Sequence, residues 1–407
     1  MSGANTVANS QHFVKFWDDS YPSPATSLFD IDRFLVKINR YTYMSIIEGR
    51  ENKVMDIYSL LAEMRKRKAS DLHIIAGSPI LFRIDGRLAS AEKKKVTAEE
   101  SKLLVHSLMN KEQQKRFEQT HDLDFSLSVR EIGRFRINVH LQRGSVATAI
   151  RQLPSSVLSL TELHLPPILK ELALREKGLI LVTGPTGCGK STTLSAMLDI
   201  INNEKAVHVI TIEDPIEYLH SDRKSAIEQR EVGTDTLSFT DSLKYALHQD
   251  PDVILVGEMR DLETIAATIT AAEAGHLVLA TLHTRDAAQA VDRIVDVFPP
   301  LQQSQIRLQL SLSLEAVVAQ NLLPRKYGEG RMPAVEILVA TPAVRNLIRN
   351  SEIHQLYLVM ETGAKFGMQT MDQALKDLVR RGHIDPSLAS RLARQAKDFR
   401  GSLKSGL

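Results

Sequence analysis

The sequence predicts an α/β protein: a small α+β domain, a larger domain built on a parallel sheet, and a helical C-terminal part. Three observations carry this. The stretch GPTGCGKST, residues 184–192, lies between the apolar run GLILVT and LSAMLDIINN, whose apolar residues recur at helical spacing. Strand, glycine-rich loop and helix therefore follow one another. Downstream, VHVITIED, DVILVGE and GHLVLATLH alternate with SFTDSLKYALHQ, LETIAATITAAEA and DAAQAVDRIVDV. Buried strands alternating with helices suit a parallel sheet covered on both faces. Upstream, residues 122–153 alternate apolar and polar positions through three runs broken near Gly133 and Gly144, the pattern of an antiparallel meander.

Length and composition set the limits. A chain of 407 residues has room for two or three domains, each with its own core. Lys and Arg number 51 against 49 acidic residues, so no global field favours nucleic acid or an anionic membrane. No basic, aromatic-bearing stripe is evident either, and no nucleic-acid partner is expected. Cys188 is the single cysteine and cannot form an intrachain disulfide, which fits a reducing cytoplasm. No apolar run approaches the roughly 18 residues of a membrane helix, and no signal-peptide core is present. Direct membrane insertion is not expected.

Taken in order, residues 1–54 are polar, with two prolines in SYPSPATS, and read as a poorly ordered extension. The first domain spans 55–153. It opens with a helix in DIYSLLAEMRKRK, continues with strands in SDLHIIAG and ILFRIDGRL turning at Asp85-Gly86, and adds helices in KKKVTAEESKLLVHSLMN and KEQQKRFEQ. Thr97 and Glu100 form a capping-box pair. In the meander, Phe135 and Ile137 share one face while Arg134, Arg136 and Asn138 share the other, which is either solvated or meets a ligand. Residues 154–167, rich in Pro and Ser, read as a linker. The second domain covers 168–341 and is expected to close with one long helix in PLQQSQIRLQLSLSLEAVVAQN and a strand in RMPAVEILVA. Residues 342–407 read as helical, ending in PSLASRLARQAKDF. Within AVRNLIRN, Val344, Leu347 and Ile348 form an apolar stripe that leaves Arg345, Asn346 and Arg349 facing outward.

The candidate chemistry starts at the glycine-rich loop. Gly184, Gly189, Lys190 and Ser191 meet the pattern G-x-x-x-x-G-K-[ST], and residues Gly184, Pro185, Thr186, Gly187, Cys188, Gly189, Lys190, Ser191 and Thr192 form the expected cradle for a nucleotide triphosphate. Lys190 is expected on the β- and γ-phosphates, and the Ser191 hydroxyl on Mg²⁺. Glu258 leaves a buried strand, where an acid polarises attacking water or holds Mg²⁺; the bland alternative is a solvated loop glutamate. Glu213, Asp214 and Glu217 crowd another strand end, where three carboxylates would repel a triphosphate unless a metal or lysine intervened. His276 and His283 bracket a third strand and are as readily structural as catalytic.

Four ordered blocks, GPTGCGKST, ITIEDPIEY, QDPDVILVGEMRD and TAAEAGHLVLATLHT, resemble the secretion-type motor ATPase family, with the resemblance running from about Met55 to Leu403. That resemblance implies a PAS-like first domain, a RecA-like ATPase core, ATP with Mg²⁺, and a homohexamer. It makes Glu258 the catalytic glutamate and Glu213 and Asp214 Asp-box residues, with Asp214 beside the metal. It places His276 and His283 near the γ-phosphate and assigns first-domain arginines, here Arg136 and Arg151, to the nucleotide on domain closure. AVRNLIRN is similar to the signature AIRNLIRE of the family's pilus-retraction branch, and one cysteine excludes the four-cysteine zinc site of extension motors. The implied function is coupling of ATP hydrolysis to type IV pilus retraction, cytoplasmic and peripheral at the inner membrane. The implied partners are an inner-membrane platform protein and a paralogous retraction ATPase. An accessory retraction motor, or an ATP-binding regulatory module without forceful turnover, are the alternatives. Because the resemblance begins after residue 54, protein starting at Met55 should hydrolyse ATP at the full-length rate; a truncated protein with a collapsed steady-state rate would give the extension a role in the motor.

Overall fold

The computed structural model describes residues 56–84, 86–154 and 156–394. The expected extension at 1–54, Asp85 of the expected turn, and the last residues of PSLASRLARQAKDF lie outside the described residues. Among the described residues no helix is long and apolar enough to cross a membrane.

The first sheet follows helix α1 (Ile57–Lys66) and comprises β1 (Asp71–Ile74), β2 (Pro79–Ile84), β3 (Arg87–Lys95), β4 (Asp122–Val129), β5 (Gly133–Gln142) and β6 (Ser145–Gln152). Its order is β3-β2-β1-β6-β5-β4, and every neighbouring pair is antiparallel. Two helices lie between β3 and β4: α2 (Ala98–His106) and α3 (Lys111–Thr120). The period of two along β5 buries Phe135, Ile137 and Val139 completely and turns Arg134, Arg136 and Asn138 to the opposite face. Thr97 and Glu100 form the capping box: Glu100 N donates to Thr97 Oγ1 at 3.1 Å and Thr97 N to Glu100 Oε2 at 2.9 Å. Lys93–Lys95 belong to β3 and not to the helix, which cannot extend past its own N-cap.

A short helix α4 (Ile168–Ala173) leads into the second sheet, made of β7 (Gly178–Thr183), β8 (His208–Glu213), β9 (Ala226–Glu231), β10 (Val253–Val256), β11 (Leu277–Leu282), β12 (Leu314–Pro324) and β13 (Arg331–Val339). The order is β13-β12-β7-β11-β10-β8-β9. All pairings are parallel except β12 with β13, so the expected parallel sheet carries one antiparallel edge. Alternate residues of β7 serve opposite faces. Leu179 and Leu181 pack with helices α6 (Phe239–Ala246), α7 (Leu262–Glu273), α8 (Ala287–Asp296) and α9 (Pro300–Ser313), through Leu243, Ile265, Ile294 and Ile306. Ile180 and Val182 pack with α4 and α5 (Lys190–Glu204), through Leu169, Leu172, Leu194 and Met197. Leu160 and Leu165 of the expected linker join this second core.

One element was expected differently. Residues 300–321 do not form one long helix; α9 stops at Ser313 and the chain enters β12 at Leu314. Ala316, Val317, Val318 and Ala319 are all fully buried. A strand sandwiched between β7 and β13 buries consecutive residues on both faces, whereas an amphipathic helix would bury one stripe.

The C-terminal part contains α10 (Pro342–Arg349), α11 (Leu356–Thr362), α12 (Met371–Arg380) and α13 (Pro386–Leu392). Thr341 caps α10, and Val344, Leu347 and Ile348 are its buried residues. Arg345 does not face outward: it donates to Ser311 O at 3.0 Å and Leu312 O at 2.8 Å and pairs with Glu315 at 2.6 Å. These carbonyls are the last of α9, so Arg345 caps that helix. Asn346 and Arg349 remain exposed. Leu347→Asp should therefore destabilise the fold by about 3 kcal/mol, because it buries an unpaired carboxylate, and should lower the thermal midpoint accordingly. An unchanged midpoint would mean that α10 is not held by its apolar face.

Candidate active site

In a sheet whose strands run parallel, the C-terminal ends of β7, β8, β10 and β11 reach the same edge, and the candidate residues sit just past them. Pairing of Val256 with both Ile212 and Ala280, and of Leu282 with Thr183, sets the register. Past β7 the chain makes the 184–189 loop and enters α5 at Lys190. Gly184 has φ +145°, and a Cβ there would stand 2.3 Å from Gln320 O, so only glycine lets the loop approach β12 so closely. Gln320, buried within β12, props the loop from below: its Oε1 accepts from Thr193 Oγ1 at 2.8 Å and its Nε2 donates to Cys188 O at 2.7 Å. Cys188 is itself buried, and burial pushes its thiol up, so it is a packing residue and not a reactive one.

Lys190 Nζ donates to Gly184 O at 2.9 Å and Pro185 O at 3.3 Å, which holds it over the loop, and lies 3.5 Å from His283 Nδ1. His283 Nε2 lies 3.1 Å from Glu258 Oε1. Glu258 also receives Arg260 at 2.9 Å on each carboxylate oxygen, and Arg260 Nη1 lies 3.9 Å from Asp214. Burial pushes the Glu258 carboxyl up, but the hydrogen bonds and charge of Arg260, joined by His283, outweigh it and hold the group below the usual carboxylate value. Glu258 is thus an ionised carboxylate at neutral pH. Glu213 is the opposite case. Burial pushes it up to about 7, against hydrogen bonds from Thr211 Oγ1 at 2.8 Å and Gln229 Nε2 at 3.2 Å. A half-protonated Glu213 reduces the crowding of negative charge at this edge. On the helix side, Thr192 Oγ1 and Tyr218 OH lie 3.0 Å apart and tie the Asp-box segment to α5.

The structure brings Lys190, Glu258, His283, Glu213 and Asp214 to one edge. It does not bring His276 there. That residue precedes β11, whose six residues separate it from the site by roughly 20 Å, and its Nδ1 lies 2.7 Å from Pro251 O. It is a loop-fixing histidine at the far edge. Arg136 and Arg151 face each other directly across β5 and β6 and pair within the first sheet, Arg136 with Asp124 at 4.0 Å and Arg151 with Asp71 at 2.9 Å. Three residues escaped the sequence reading. Arg260 stands two places after Glu258 and could have been found as the nearest cation. Gln320 and its neighbour Asn321 interrupt an apolar run with two amides, itself a signal. Glu336, buried in β13, accepts from Ala287 N at 2.9 Å and Met371 N at 3.2 Å, tying the first turns of α8 and α12 together; as a lone acid in the apolar run AVEILVA it carried a signal of the same kind.

A glycine-rich phosphate cradle with a lysine, an ionised strand-end glutamate and a histidine between them defines a phosphate-loop nucleotide hydrolase. The chain belongs to the Type II/IV secretion system protein family, whose model matches residues 48–384. It is 47% identical over 345 residues to the type IV pilus retraction ATPase PilT of Pseudomonas aeruginosa, covering 85% of this chain and 100% of that protein. It is 42% identical over 352 residues to the type IV pilus ATPase PilU of the same organism, covering 86% of this chain and 92% of that one. Among solved structures, the pilus retraction motor PilT with bound ADP superposes with a TM-score of 0.79 at 46% identity, covering 84% of this chain and 98% of that one.

The raised pKa of Glu213 has a consequence for stability. The unfolded chain releases this proton near pH 4.5, whereas the folded protein holds it to about 7. Its stabilising contribution is therefore complete at low pH and is lost as pH rises through that window, by on the order of 3 kcal/mol. The midpoint of wild type relative to Glu213→Gln should fall steadily from pH 4.5 to 7.5. A pH-independent difference would show that Glu213 ionises normally.

Proposed function

We propose that this chain is a motor ATPase that couples ATP hydrolysis to retraction of a type IV pilus, working as a homohexamer at the cytoplasmic face of the inner membrane. The observation that carries it is the chain of contacts from Lys190 through His283 to Glu258 at the mouth of the phosphate loop, in a protein similar to a pilus retraction ATPase over that relative's entire length. Amides of residues 184–189 hold the phosphates, with the dipole of α5 behind them. Lys190 neutralises charge as it develops on the transferring group. Glu258, kept ionised by Arg260, orients and polarises the attacking water, and His283 holds its carboxylate in place. The hard oxygen donors Ser191 and Asp214 suit Mg²⁺, which when bound adds charge stabilisation at the phosphates.

The first sheet is read as a PAS-like domain at 55–153, and the second as a RecA-like core at 168–341, with helices at 342–407. Arg136 and Arg151 would exchange Asp124 and Asp71 for the nucleotide when the domains close, and this rigid-body movement is the power stroke. The hydrolytic residues weigh against a purely regulatory module. An accessory motor shares the same site and is separated by phenotype. The exposed side of α10, with Asn346 and Arg349, is a candidate contact for the inner-membrane platform protein.

Two outcomes test this reading. Glu258→Gln should keep ATP binding while losing turnover by about 10²-fold or more, and a deletion strain carrying it should show excess, immobile pili. Near-normal turnover would remove Glu258 from catalysis, and a strain without pili would indicate an extension motor. Arg349→Glu should spare most ATPase activity, since exposed substitutions rarely unfold a domain, yet abolish twitching. Full twitching in that strain would assign α10 to packing alone.

A further inference from the structure

The edge strand β9 directs two side chains at the turn that follows β8. Gln229 Nε2 donates to Tyr218 O at 2.8 Å as well as to Glu213, and Gln229 Oε1 accepts from His220 N at 2.9 Å. Two residues on, and so on the same face, Glu231 accepts from Ile216 N at 3.1 Å. The partners of Gln229 all belong to the second sheet and its loops. Glu231 differs, because its other side-chain contacts come from the first sheet. Ser126 Oγ of β4 donates to it at 2.8 Å, and Arg134 Nη2 of β5 pairs with it at 2.6 Å. Arg134 then reaches past Glu231, with Nε donating to Ile216 O at 3.2 Å.

Both backbone polar groups of Ile216 are thus held, the N–H by Glu231 and the carbonyl by Arg134, and the two side chains hold each other. Glu231 is 5% exposed and the Arg134 side chain 16%. A buried carboxylate with three donors is well compensated; stripped of the arginine and the serine, it would keep the Ile216 amide and little else. The turn so clamped runs from Asp214 to Glu217 and docks on the phosphate-loop helix through Tyr218 and Thr192. Arg136 and Arg151 lie on the same sheet, yet neither takes part in these contacts.

We propose that Arg134 and Glu231 are positioning residues for hydrolysis. When the first sheet is seated, their ion pair clamps Ile216 from both sides and fixes the Asp214–Glu217 turn beside the phosphate loop. Swinging the first sheet away removes Arg134 and Ser126 together and releases the turn. Turnover is thereby made conditional on the position of the first domain, at a site separate from any arginine that reaches the nucleotide. This rests on the hydrolytic reading given above. Neither residue touches substrate; both act through the Ile216 backbone.

The experiment uses full-length protein with ATP and Mg²⁺, comparing wild type, Arg134→Gln, Glu231→Gln, the double variant and Arg134→Lys. Steady-state kinetics, amide exchange of the peptide containing Ile216, and thermal unfolding are measured on each. Each Gln variant should lower kcat about tenfold with KM for ATP changed less than about threefold, and should speed exchange at Ile216. The double variant should be no slower than either single, because both remove one clamp. Arg134→Lys should recover part of kcat, since lysine keeps the ion pair but cannot fork to the Ile216 carbonyl as well. Unchanged kcat in both Gln variants would overturn the proposal. So would slower turnover with unaltered exchange at Ile216, or a lower midpoint with normal activity per folded molecule. A wild-type protein without turnover would instead overturn the hydrolytic reading itself, which separates the two failures.

Discussion

The register of the parallel strands is the constraint on which the site depends. Leu282 beside Thr183, and Ala280 beside Val256 beside Ile212, bring four chain exits to one edge. Each exit then contributes one chemical element: the phosphate cradle from β7, the Asp-box acids from β8, Glu258 from β10 and His283 from β11. A slip of one residue in any strand would turn its side chains to the other face, against a core that is fully buried on both sides. The packing of Leu179, Ile180, Leu181 and Val182 therefore protects the geometry of residues that these four never touch.

Charge at this edge is managed by environment more than by residue type. Glu213 and Glu258 are the same side chain at the ends of neighbouring strands. One faces burial and neutral donors and is pushed up to about 7; the other gains Arg260 and His283 and stays ionised. Glu258 consequently presents a carboxylate held by two donors, while the raised Glu213 lowers the repulsion that an anion would meet at this edge. Arg260 contributes twice, since it lies between Glu258 and Asp214.

The loop itself is supported from the opposite side of the sheet order. β12 lies next to β7, and its Gln320 meets the loop at Cys188 through Nε2 and helix α5 at Thr193 through Oε1, while its carbonyl excludes any Cβ at Gly184. On the next strand out, Glu336 holds the helix that follows the His283 loop and, with its other oxygen, the helix α12. The C-terminal helices are in this way mechanically continuous with the loop that carries the histidine, through a single carboxylate.

Much of this was legible in the chain alone. The period of two in the meander, the period of 3.6 in the helices, the capping box at Thr97 and the glycine pattern at 184–189 are local, and local patterns report directly on backbone conformation. The four ordered blocks were enough to point to the family that the chain proved to belong to. What the sequence could not settle were the choices made by partners distant along the chain. The run after Ser313 became a strand because a slot existed between β7 and β13, and nothing within the run distinguishes that from a helix. His276 and His283 look equivalent in sequence, since both flank one strand; only the parallel direction of that strand puts one at the site and the other at the far edge. Arg134, Arg136 and Arg151 share a face and a composition, and only the packing of the first sheet on the Asp-box turn gave Arg134 a buried acid of the second sheet, while Arg136 and Arg151 pair with Asp124 and Asp71 of their own sheet. Patterns repeat every few residues, whereas a charge pair spanning nearly a hundred positions is decided by which surfaces meet.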